Sequence, residues 1–218
     1  MSEQTTPSAY DAEFFLDPIC PWCWITSRWV TNVQTERQLD VGWRFIALKI
    51  VNESKADDYS VRHRAGHHAG LQLLRVLHEV GEREGNDAIG RLYTAFGTEW
   101  HVHGRREEGI ADIAGFAREC LEAAGLDESY AAHADDDSHD AALRADTEEA
   151  LARTGGDVGT PIITIGSGTE APRSFFGPVM PKAPKGDEAV SLWNAVATLA
   201  FSDVAELKRT QRGELAFD

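Results

Sequence analysis

Two cysteines three positions apart, Cys20 and Cys23, restrict the fold of this chain more than any other feature of the sequence. They follow residues 13–16, a short apolar run that predicts a buried strand closed by a turn at Asp17. From Pro21 onward apolar residues recur at helical spacing, and proline is tolerated at the first position of a helix. The cysteine pair therefore lies where a strand has just ended and a helix begins.

Further along the chain, the pattern predicts a long helical block between two groups of strands. Residues 41–48 alternate with the period of a strand, and between about Asp57 and Gly155 the sequence predicts helices only. Within that block, residues 110–117 and 130–151 are each interpreted as helical. The later predicted elements are a hairpin of strands at residues 162–165 and 173–176 and a helix that opens at Asp187.

This order of elements predicts an α/β, thioredoxin-like fold with an inserted all-helical subdomain. The expected division gives residues 10–55 and 156–202 to the thioredoxin-like domain, 56–155 to the inserted subdomain and 203–218 to a C-terminal extension. Because sites lie beyond the C-terminal ends of parallel strands, we expect the insertion to cover the edge of the sheet that carries the cysteines. The polar extension has no predicted role.

The composition argues against several classes of partner. Among 218 residues, 21 Lys and Arg stand against 36 Asp and Glu, so the formal net charge is −15. Such a charge repels polyphosphates and anionic lipids, and no apolar run reaches the roughly 20 residues that span a bilayer. Residues 1–12 lack the basic start and the apolar stretch of a secretory signal. We therefore expect a cytoplasmic protein that binds neither nucleic acid nor membranes.

The position of the cysteine pair predicts thiol–disulfide exchange. Only three cysteines occur, and in a reducing compartment a close pair indicates redox chemistry or metal binding rather than a structural disulfide. Cys20 precedes the helix, where unpaired backbone N–H groups and the helix dipole stabilise a thiolate, so we expect it to be the nucleophile. Cys23 lies one turn further on and is expected to be the resolving thiol.

A second informative motif is the stretch of residues 157–161, directly before the third predicted strand. In a thioredoxin-like sheet, a cis proline at Pro161 would face the cysteines, and Thr160 would be the contacting residue. The alternative is an ordinary trans proline that opens a strand. The residues expected to bind substrate are Pro21, Trp22, Thr160 and Pro161.

Signals for metal binding are weaker than those for redox chemistry. The C-x-x-C of Cys20 and Cys23 has no second pair to complete a zinc site. His63 and His67 have ligand spacing, but the neighbouring arginines and the absence of a nearby carboxylate favour a solvated helix face. Residues 135–137, an acidic run, are interpreted as a solvated helix start. No bound metal is therefore expected.

Two further groups lie outside these motifs. Cys120 sits on an apolar helix face and is interpreted as core packing, because free cysteine often behaves as a small hydrophobe. His101 and His103 fall in a predicted loop between inserted helices. Because polar loop residues over a site often bind ligand, one of these histidines is a candidate for lining the substrate cleft, with a plain surface loop as the alternative.

Beyond these arguments from residues, the chain resembles a known family over nearly its whole length. The resemblance is carried by the Cys-Pro-Trp-Cys stretch within residues 15–24, the helical middle, residues 158–161, residues 175–178 and the ending at residues 206–210. These motifs are similar to those of the DsbA-like actinobacterial proteins known as mycothiol-dependent nitroreductases.

The resemblance implies a thiol–disulfide oxidoreductase without a tightly bound cofactor, with mycothiol, a low-molecular-weight thiol, as co-substrate. It implies that Cys20 forms the mixed disulfide with mycothiol and that Trp22 lines the substrate pocket. The other substrate would be a disulfide or a nitroaromatic compound. Proteins of this family are cytoplasmic and often dimeric, so the resemblance also includes a homodimer among the expected states.

Two other classes of function stay open on the sequence. The inserted-helix architecture also resembles kappa glutathione transferases and hydroxychromene-carboxylate isomerases, which would make the chain a thiol-dependent isomerase or transferase. That group typically carries a serine in place of the redox pair, so Cys20 and Cys23 argue against it. A chaperone-like or thiol-sensing binding module is the third reading, and it predicts no turnover of disulfide.

Overall fold

The computed structural model describes residues 10–55, 61–156 and 158–217 of the chain. Its sheet is built from β1 (Ala12–Leu16), β2 (Val41–Phe45), β3 (Ile162–Ile165) and β4 (Arg173–Phe176). The strands lie in the order β2, β1, β3, β4, with β2 parallel to β1 and the other two pairs antiparallel. The predicted strands and hairpin are confirmed, although the second strand ends at Phe45 and Leu48 already begins a helix.

Most of the remaining described residues are helical. The α-helices are α1 (Pro21–Glu36), α2 (Leu48–Val51), α3 (Val61–Glu84), α4 (Asn86–Gly97), α5 (Arg106–Ala111), α6 (Ile113–Ala123), α7 (Asp140–Thr154) and α8 (Gly186–Ala200). Short 3₁₀ segments cover Glu53–Lys55, Glu128–Asp135 and Asp137–His139, and a π-helical turn covers Thr98–Val102. Within the described ranges, no helix is long and apolar enough to cross a membrane.

The predicted helical block is confirmed for the residues that the structure describes between β2 and β3. Helices α2 to α7 all fall there, and they are not interrupted by a strand in the described part. Residues 56–60, where the insertion is expected to begin, lie outside the described residues. The domain boundaries given above stay a prediction.

The inner strand β1 is buried on both faces, which explains why its residues 14–16 form an apolar run and do not alternate with polar residues. Phe14 and Leu16 point into the main core, whereas Phe15 points to the opposite face and packs with Ile162 and Ala150. All three β1 side chains are fully buried. Because burying one such side chain contributes roughly 1.5–3 kcal/mol, this strand contributes strongly to holding helices on both faces of the sheet.

Helix α1 packs against α8 on the side of the main core. The ring of Trp29 lies 5.5 Å from that of Trp193, and the Trp29 indole N–H donates a hydrogen bond to the Ala189 carbonyl at 2.9 Å. Trp29 is fully buried. This contact holds the body of α1 in place and thereby fixes the position of the cysteines at its N-terminus.

Helix α7 packs on the opposite face of the sheet through a network of charges. Arg44 of β2 lies 2.6 Å from Asp146 of α7 and 3.1 Å from Glu13 of β1. Arg153 of α7 lies 2.7 Å from the other oxygen of Glu13. The hydroxyl of Thr147 accepts a hydrogen bond from the Ala47 N–H at 3.0 Å. The inserted block is therefore joined to the sheet by partly buried polar contacts as well as by apolar packing.

Two helical predictions were wrong in detail. Residues 110–117 are split between α5 and α6, because Asp112 has φ −141° and ψ 82° and its carboxylate accepts a hydrogen bond from the Gly115 N–H at 2.9 Å. The predicted helix at residues 130–151 is divided: 3₁₀ turns precede Asp140, and α7 begins only there. The acidic residues 135–137 therefore lie in those turns and not at the start of a long helix. Aspartate side chains that bond nearby backbone N–H groups compete with regular helix, which explains both breaks.

Candidate active site

Cys20 caps the N-terminus of α1. Its backbone is extended, its sulfur accepts a hydrogen bond from the Cys23 N–H at 3.4 Å, and Pro21 follows as the first helical residue. The Cys20 N–H donates to the Asp17 carbonyl at 3.1 Å, which closes the turn after β1. Both cysteines are free thiols. The predicted position of the pair, between the first strand and the first helix, is confirmed.

Thr160 lies directly against Cys20. Its hydroxyl oxygen is 2.9 Å from Cys20 Sγ, and the peptide bond between Thr160 and Pro161 is cis. The Pro161 carbonyl accepts a hydrogen bond from the Gly177 N–H at 2.8 Å, just before β3 begins. The predicted cis proline opposite the cysteines is confirmed. The predicted contact of Thr160 with substrate stays a prediction, and Asp157 of the same motif lies outside the described residues.

The two sulfurs have opposite electrostatic environments. Hydrogen bonding from the Cys23 thiol lowers the pKa of Cys20, and the Thr160 hydroxyl and the Cys23 N–H add to this effect against the opposing effect of burial. Burial raises the pKa of Cys23 well above its usual value, and the neighbouring Cys20 raises it further. Cys20 is 4% exposed and Cys23 is fully buried. Cys20 is therefore the sulfur that ionises more easily and is more open to a reactant.

Asp17 is a buried acid beside the cysteine pair. Its carboxylate accepts hydrogen bonds from the Ile19 N–H at 3.0 Å and the Leu48 N–H at 2.8 Å. Burial raises the pKa of Asp17 to about 6, although the two backbone hydrogen bonds oppose this shift. The negative charge of Asp17 in turn raises the pKa of Cys20. In the sequence, Asp17 stands out only as part of a turn, although an acid directly after the apolar residues 14–16 was an available signal.

His101 lies next to the turn that precedes Cys20. Its Nε2 is 2.9 Å from the Pro18 carbonyl oxygen, and its ring stacks on Trp24 with 6.0 Å between the ring centres. Burial lowers the pKa of His101 to about 4, so the ring is neutral at neutral pH and donates its N–H to Pro18. His103 is exposed and pairs with Glu99 at 3.0 Å. Of the two candidate histidines, only His101 contacts the cysteine-bearing turn.

The inserted block also reaches this turn through α3. A Cβ atom at Gly70 of α3 would lie 2.8 Å from Ile19 and 3.1 Å from the Asp17 carboxylate. Glycine therefore permits a close approach that other residues would obstruct. Together with the contact of His101, this packing confirms that the insertion covers the edge of the sheet where the cysteines lie.

The C-terminal extension lies over the same region, which the sequence did not predict. The Arg212 guanidinium is 5.3 Å from the centre of the Trp22 ring, and the Phe217 ring stacks on His101 with 5.6 Å between centres. The Ala216 N–H donates to the Pro181 carbonyl at 2.8 Å. No periodic pattern marks this polar segment, so the aromatic residue near its end was the sole local signal for a packed tail.

Cys120, His63 and His67 make no described contact with Cys20 or Cys23. Cys120 is buried in α6, and burial raises its pKa to about 12, as expected for a packing residue. His63 and His67 lie one turn apart on α3 with 6.3 Å between their ring centres. Their predicted role as part of a helix surface stays a prediction.

Solved structures similar to the chain show its fold. The chain resembles the cytosolic disulfide reductase DsbM from Pseudomonas aeruginosa, with 18% identity, coverage of 87% of this chain and 99% of that one, and a TM-score of 0.57. It also resembles the probable DsbA oxidoreductase SCO1869 from Streptomyces coelicolor, with 19% identity, coverage of 91% and 92%, and a TM-score of 0.52. The predicted thioredoxin-like fold with a helical insertion, of DsbA-like type, is confirmed.

The sequence comparisons identify the family. The protein Rv2286c from Mycobacterium tuberculosis, described as uncharacterized, is 28% identical over 200 residues, which are 90% of this chain and 80% of that protein. The sequence profile of the mycothiol-dependent nitroreductase Rv2466c matches residues 19–209. The chain belongs to this Rv2466c-like family and is a thiol-dependent oxidoreductase.

Proposed function

We propose that the chain is a cytoplasmic enzyme that uses mycothiol, or a related low-molecular-weight thiol, to reduce disulfides or nitroaromatic compounds at Cys20 and Cys23. One observation carries the proposal. Cys20 Sγ caps α1 beside the Thr160 hydroxyl and has a lowered pKa, whereas the pKa of Cys23, one helical turn away, is raised. This difference supports one attacking and one resolving thiol.

The two thiols would act in sequence. The Cys20 thiolate attacks one sulfur of a substrate disulfide, a mixed disulfide forms, and the other substrate sulfur leaves as a thiolate. The Cys23 sulfur then attacks Cys20 Sγ and its proton passes to the departing substrate sulfur, which leaves as the second substrate thiol. A Cys20–Cys23 disulfide remains. Two electrons have passed from the cysteine pair to the substrate. A nitro group would take up the same two electrons with two protons, giving a nitroso group and water.

Mycothiol would restore the reduced pair. One mycothiol thiolate attacks the Cys20–Cys23 disulfide at Cys20 and frees Cys23, and a second mycothiol attacks the mixed disulfide and leaves as mycothiol disulfide. The family match supports this choice of thiol. A similar structure, that of DsbM with GSH (17% identity, coverage of 86% of this chain and 99% of that one, TM-score 0.56), supports a thiol of low molecular weight as the partner of this fold.

The residues next to Cys20 would bind substrate. Pro21 and Trp22 separate the two cysteines, and Thr160 and Pro161 lie across from Cys20. Trp22 is half-buried and offers an aromatic surface, with the Arg212 guanidinium beside it. A flat aromatic ring with a cation nearby suits a planar, electron-poor nitroaromatic compound or a polar thiol.

The chain would also form a homodimer if it follows the resemblance to its family, and sedimentation of the purified chain tests this state.

Turnover with a recycled thiol tests this proposal. The purified chain would receive mycothiol, a reductase for mycothiol disulfide and NADPH, together with a small disulfide or a nitroarene, and NADPH consumption would be followed. We expect Cys20→Ser to reduce the rate to the background without enzyme. Cys23→Ser should slow disulfide turnover, because only mycothiol would then resolve the mixed disulfide on Cys20. Cys120→Ser is the matched control, because this thiol packs in the core of α6, and it should keep the native rate.

The outcome also separates the alternative functions. Unchanged turnover in Cys20→Ser would overturn the proposal, and a thiol-dependent isomerase or transferase would become the better interpretation if that variant still converted a hydroxychromene carboxylate. A parallel assay with glutathione and its reductase identifies the thiol, since equal rates with both thiols would contradict selective use of mycothiol. Binding of disulfides without any turnover would indicate a binding module.

A further inference from the structure

A cluster of histidines and carboxylates outside the cysteine site has the geometry of a metal site. We propose that His133, Asp136 and His139 bind one divalent transition-metal ion, and that zinc is the best chemical match. The three residues are spaced three apart in the 3₁₀ segments that lead into α7. Residues 133–139 thus carry the pattern His-x-x-Asp-x-x-His.

The three ligand atoms form a triangle of the size that such an ion requires. His133 Nδ1 is 3.0 Å from His139 Nε2, and Asp136 Oδ2 is 3.6 Å from the first atom and 3.8 Å from the second. A point equidistant from three atoms at these separations lies about 2.0 Å from each, and zinc binds imidazole nitrogen and carboxylate oxygen at about 2.0–2.2 Å. An ion just outside the plane of the three atoms therefore fits with little movement of the side chains.

The atoms that would not contact the ion each face a partner. His133 Nε2 lies 3.8 Å from Glu79, His139 Nδ1 lies 3.1 Å from His78 Nδ1, and Asp136 Oδ1 accepts a hydrogen bond from the Ser138 N–H at 3.0 Å. Metal-binding histidines usually have such a second contact, often to a carboxylate, which fixes the orientation of the ring. Glu79 Oε1 accepts a hydrogen bond from Arg83 at 2.9 Å and faces His133 Nε2 from beyond hydrogen-bond distance, so Glu79 would position His133 only after a small approach.

The segment that carries the ligands is held against α3 by Arg75. This buried arginine donates hydrogen bonds to the Ala134 carbonyl at 3.1 Å and to both carboxylate oxygens of Asp140 at 2.7 and 2.8 Å. Ligands supported in this way need little ordering when an ion binds. The Asp136 side chain is 42% exposed, so the ion can enter from solvent and complete its coordination with water.

The arrangement of ligand types also indicates the kind of metal. Two imidazole nitrogens and one carboxylate oxygen suit zinc, and cobalt accepts the same tetrahedral set. Without a metal, His133 and His78 would each share a proton with His139 in a chain of hydrogen bonds. The Asp136 carboxylate lies near both His133 Nδ1 and His139 Nε2, the two nitrogens that face each other. This third ligand favours a bound metal ion over a chain of hydrogen bonds.

Zinc titration of the full chain tests this proposal. The titration uses the Cys20→Ser, Cys23→Ser double variant, because two free thiols would compete for zinc. We expect one equivalent to bind, and His139→Ala or Asp136→Asn in that background to weaken binding at least about tenfold. Glu79→Gln, which leaves the ligands in place, should weaken binding less than either. His103→Ala, at an exposed histidine elsewhere in the chain, is the matched control and should keep the full affinity.

A second measurement reports the site without relying on affinity alone. Cobalt added to the same background should give the visible absorption of a tetrahedral site, and His139→Ala should abolish it. Zinc should raise the melting temperature of the Cys20→Ser, Cys23→Ser double variant but not that of the same chain with Asp136→Asn. Because the Asp136 side chain is exposed, this substitution should leave the chain folded. Absence of stoichiometric binding, or equal binding in the His139→Ala and His103→Ala variants, would overturn the proposal.

Discussion

At the scale of single residues, the reactivity of Cys20 depends on the hydroxyl of Thr160. The two atoms are 2.9 Å apart, and this hydrogen bond lowers the pKa of the thiol. A hydrogen bond to a charged group is worth about 1.5–3 kcal/mol, so we expect Thr160→Val to raise the pKa of Cys20 and to slow its alkylation near neutral pH. The pH dependence of the alkylation rate measures this value, and Thr160→Ser, which keeps the hydroxyl, should restore the native profile. Identical profiles for native chain and Thr160→Val would contradict the assignment.

The buried acid Asp17 should make the free energy of unfolding depend on pH. Its pKa is 3.8 in the unfolded chain and about 6 when folded, so the native state holds its proton more tightly. The protonated Asp17 therefore contributes its full share of the free energy of unfolding below about pH 4, and this contribution is lost as the pH rises through about 6. Asp17→Asn removes the dependence, so its stability relative to the native chain should increase by about 2 kcal/mol between pH 4 and pH 7. Urea unfolding at several pH values measures the difference, and a constant difference would refute the buried charge.

The residues of the site differ in how far the sequence could predict them. Cys20, Cys23 and Thr160 could be found because their chemistry depends on the local strand, turn and helix order. His101 could be named only as one of two candidate loop histidines, and Asp17 only as part of a turn. Their shifted pKa values could not be predicted, because they arise from burial by segments distant in sequence. The burial of a polar side chain is decided by what packs over it, and a single sequence gives no direct record of that packing.

At the scale of elements, the C-terminal extension should control the environment of His101. Burial lowers the pKa of His101 to about 4, and Phe217 covers one side of the ring. We expect Phe217→Ala to raise this pKa toward the ordinary value of about 6.5, because solvent then reaches the imidazole. Titration of the histidine signals by NMR measures the shift. Phe201→Ala, at a half-exposed phenylalanine that caps the C-terminal end of α8, is the control and should leave the pKa of His101 unchanged.

The elements that the sequence predicted correctly are those with a strong period. The strand β1 and the helix α1 follow from apolar runs and spacing alone. The break at Asp112 and the 3₁₀ turns before α7 were missed, because in each case an aspartate side chain bonds a backbone N–H that a continuous helix would have used. The packed extension was missed for another reason, since its contacts are made by isolated residues within a polar segment.

At the scale of the whole molecule, the charges between the sheet and α7 should contribute to stability. Glu13 is nearly buried and lies within 3.1 Å of Arg44 and 2.7 Å of Arg153. Glu13→Gln leaves both arginines without this carboxylate, so we expect a loss of about 3 kcal/mol in the free energy of unfolding. Chemical denaturation measures the loss. Glu53→Gln, which breaks an exposed pair with Arg144, is the control and should change stability far less.

The fold as a whole brings the insertion, the extension and the sheet together around Cys20, at the N-terminus of α1.

The direct test of the central claim, that Cys20 attacks and Cys23 resolves, is the intact mass of Cys23→Ser after incubation with mycothiol disulfide. The Cys20 thiolate should displace one mycothiol and retain the other, giving a single stable adduct that peptide mapping assigns to Cys20. Cys20→Ser should give no comparable adduct. An adduct on Cys120, or equal labelling of both variants, would contradict the account.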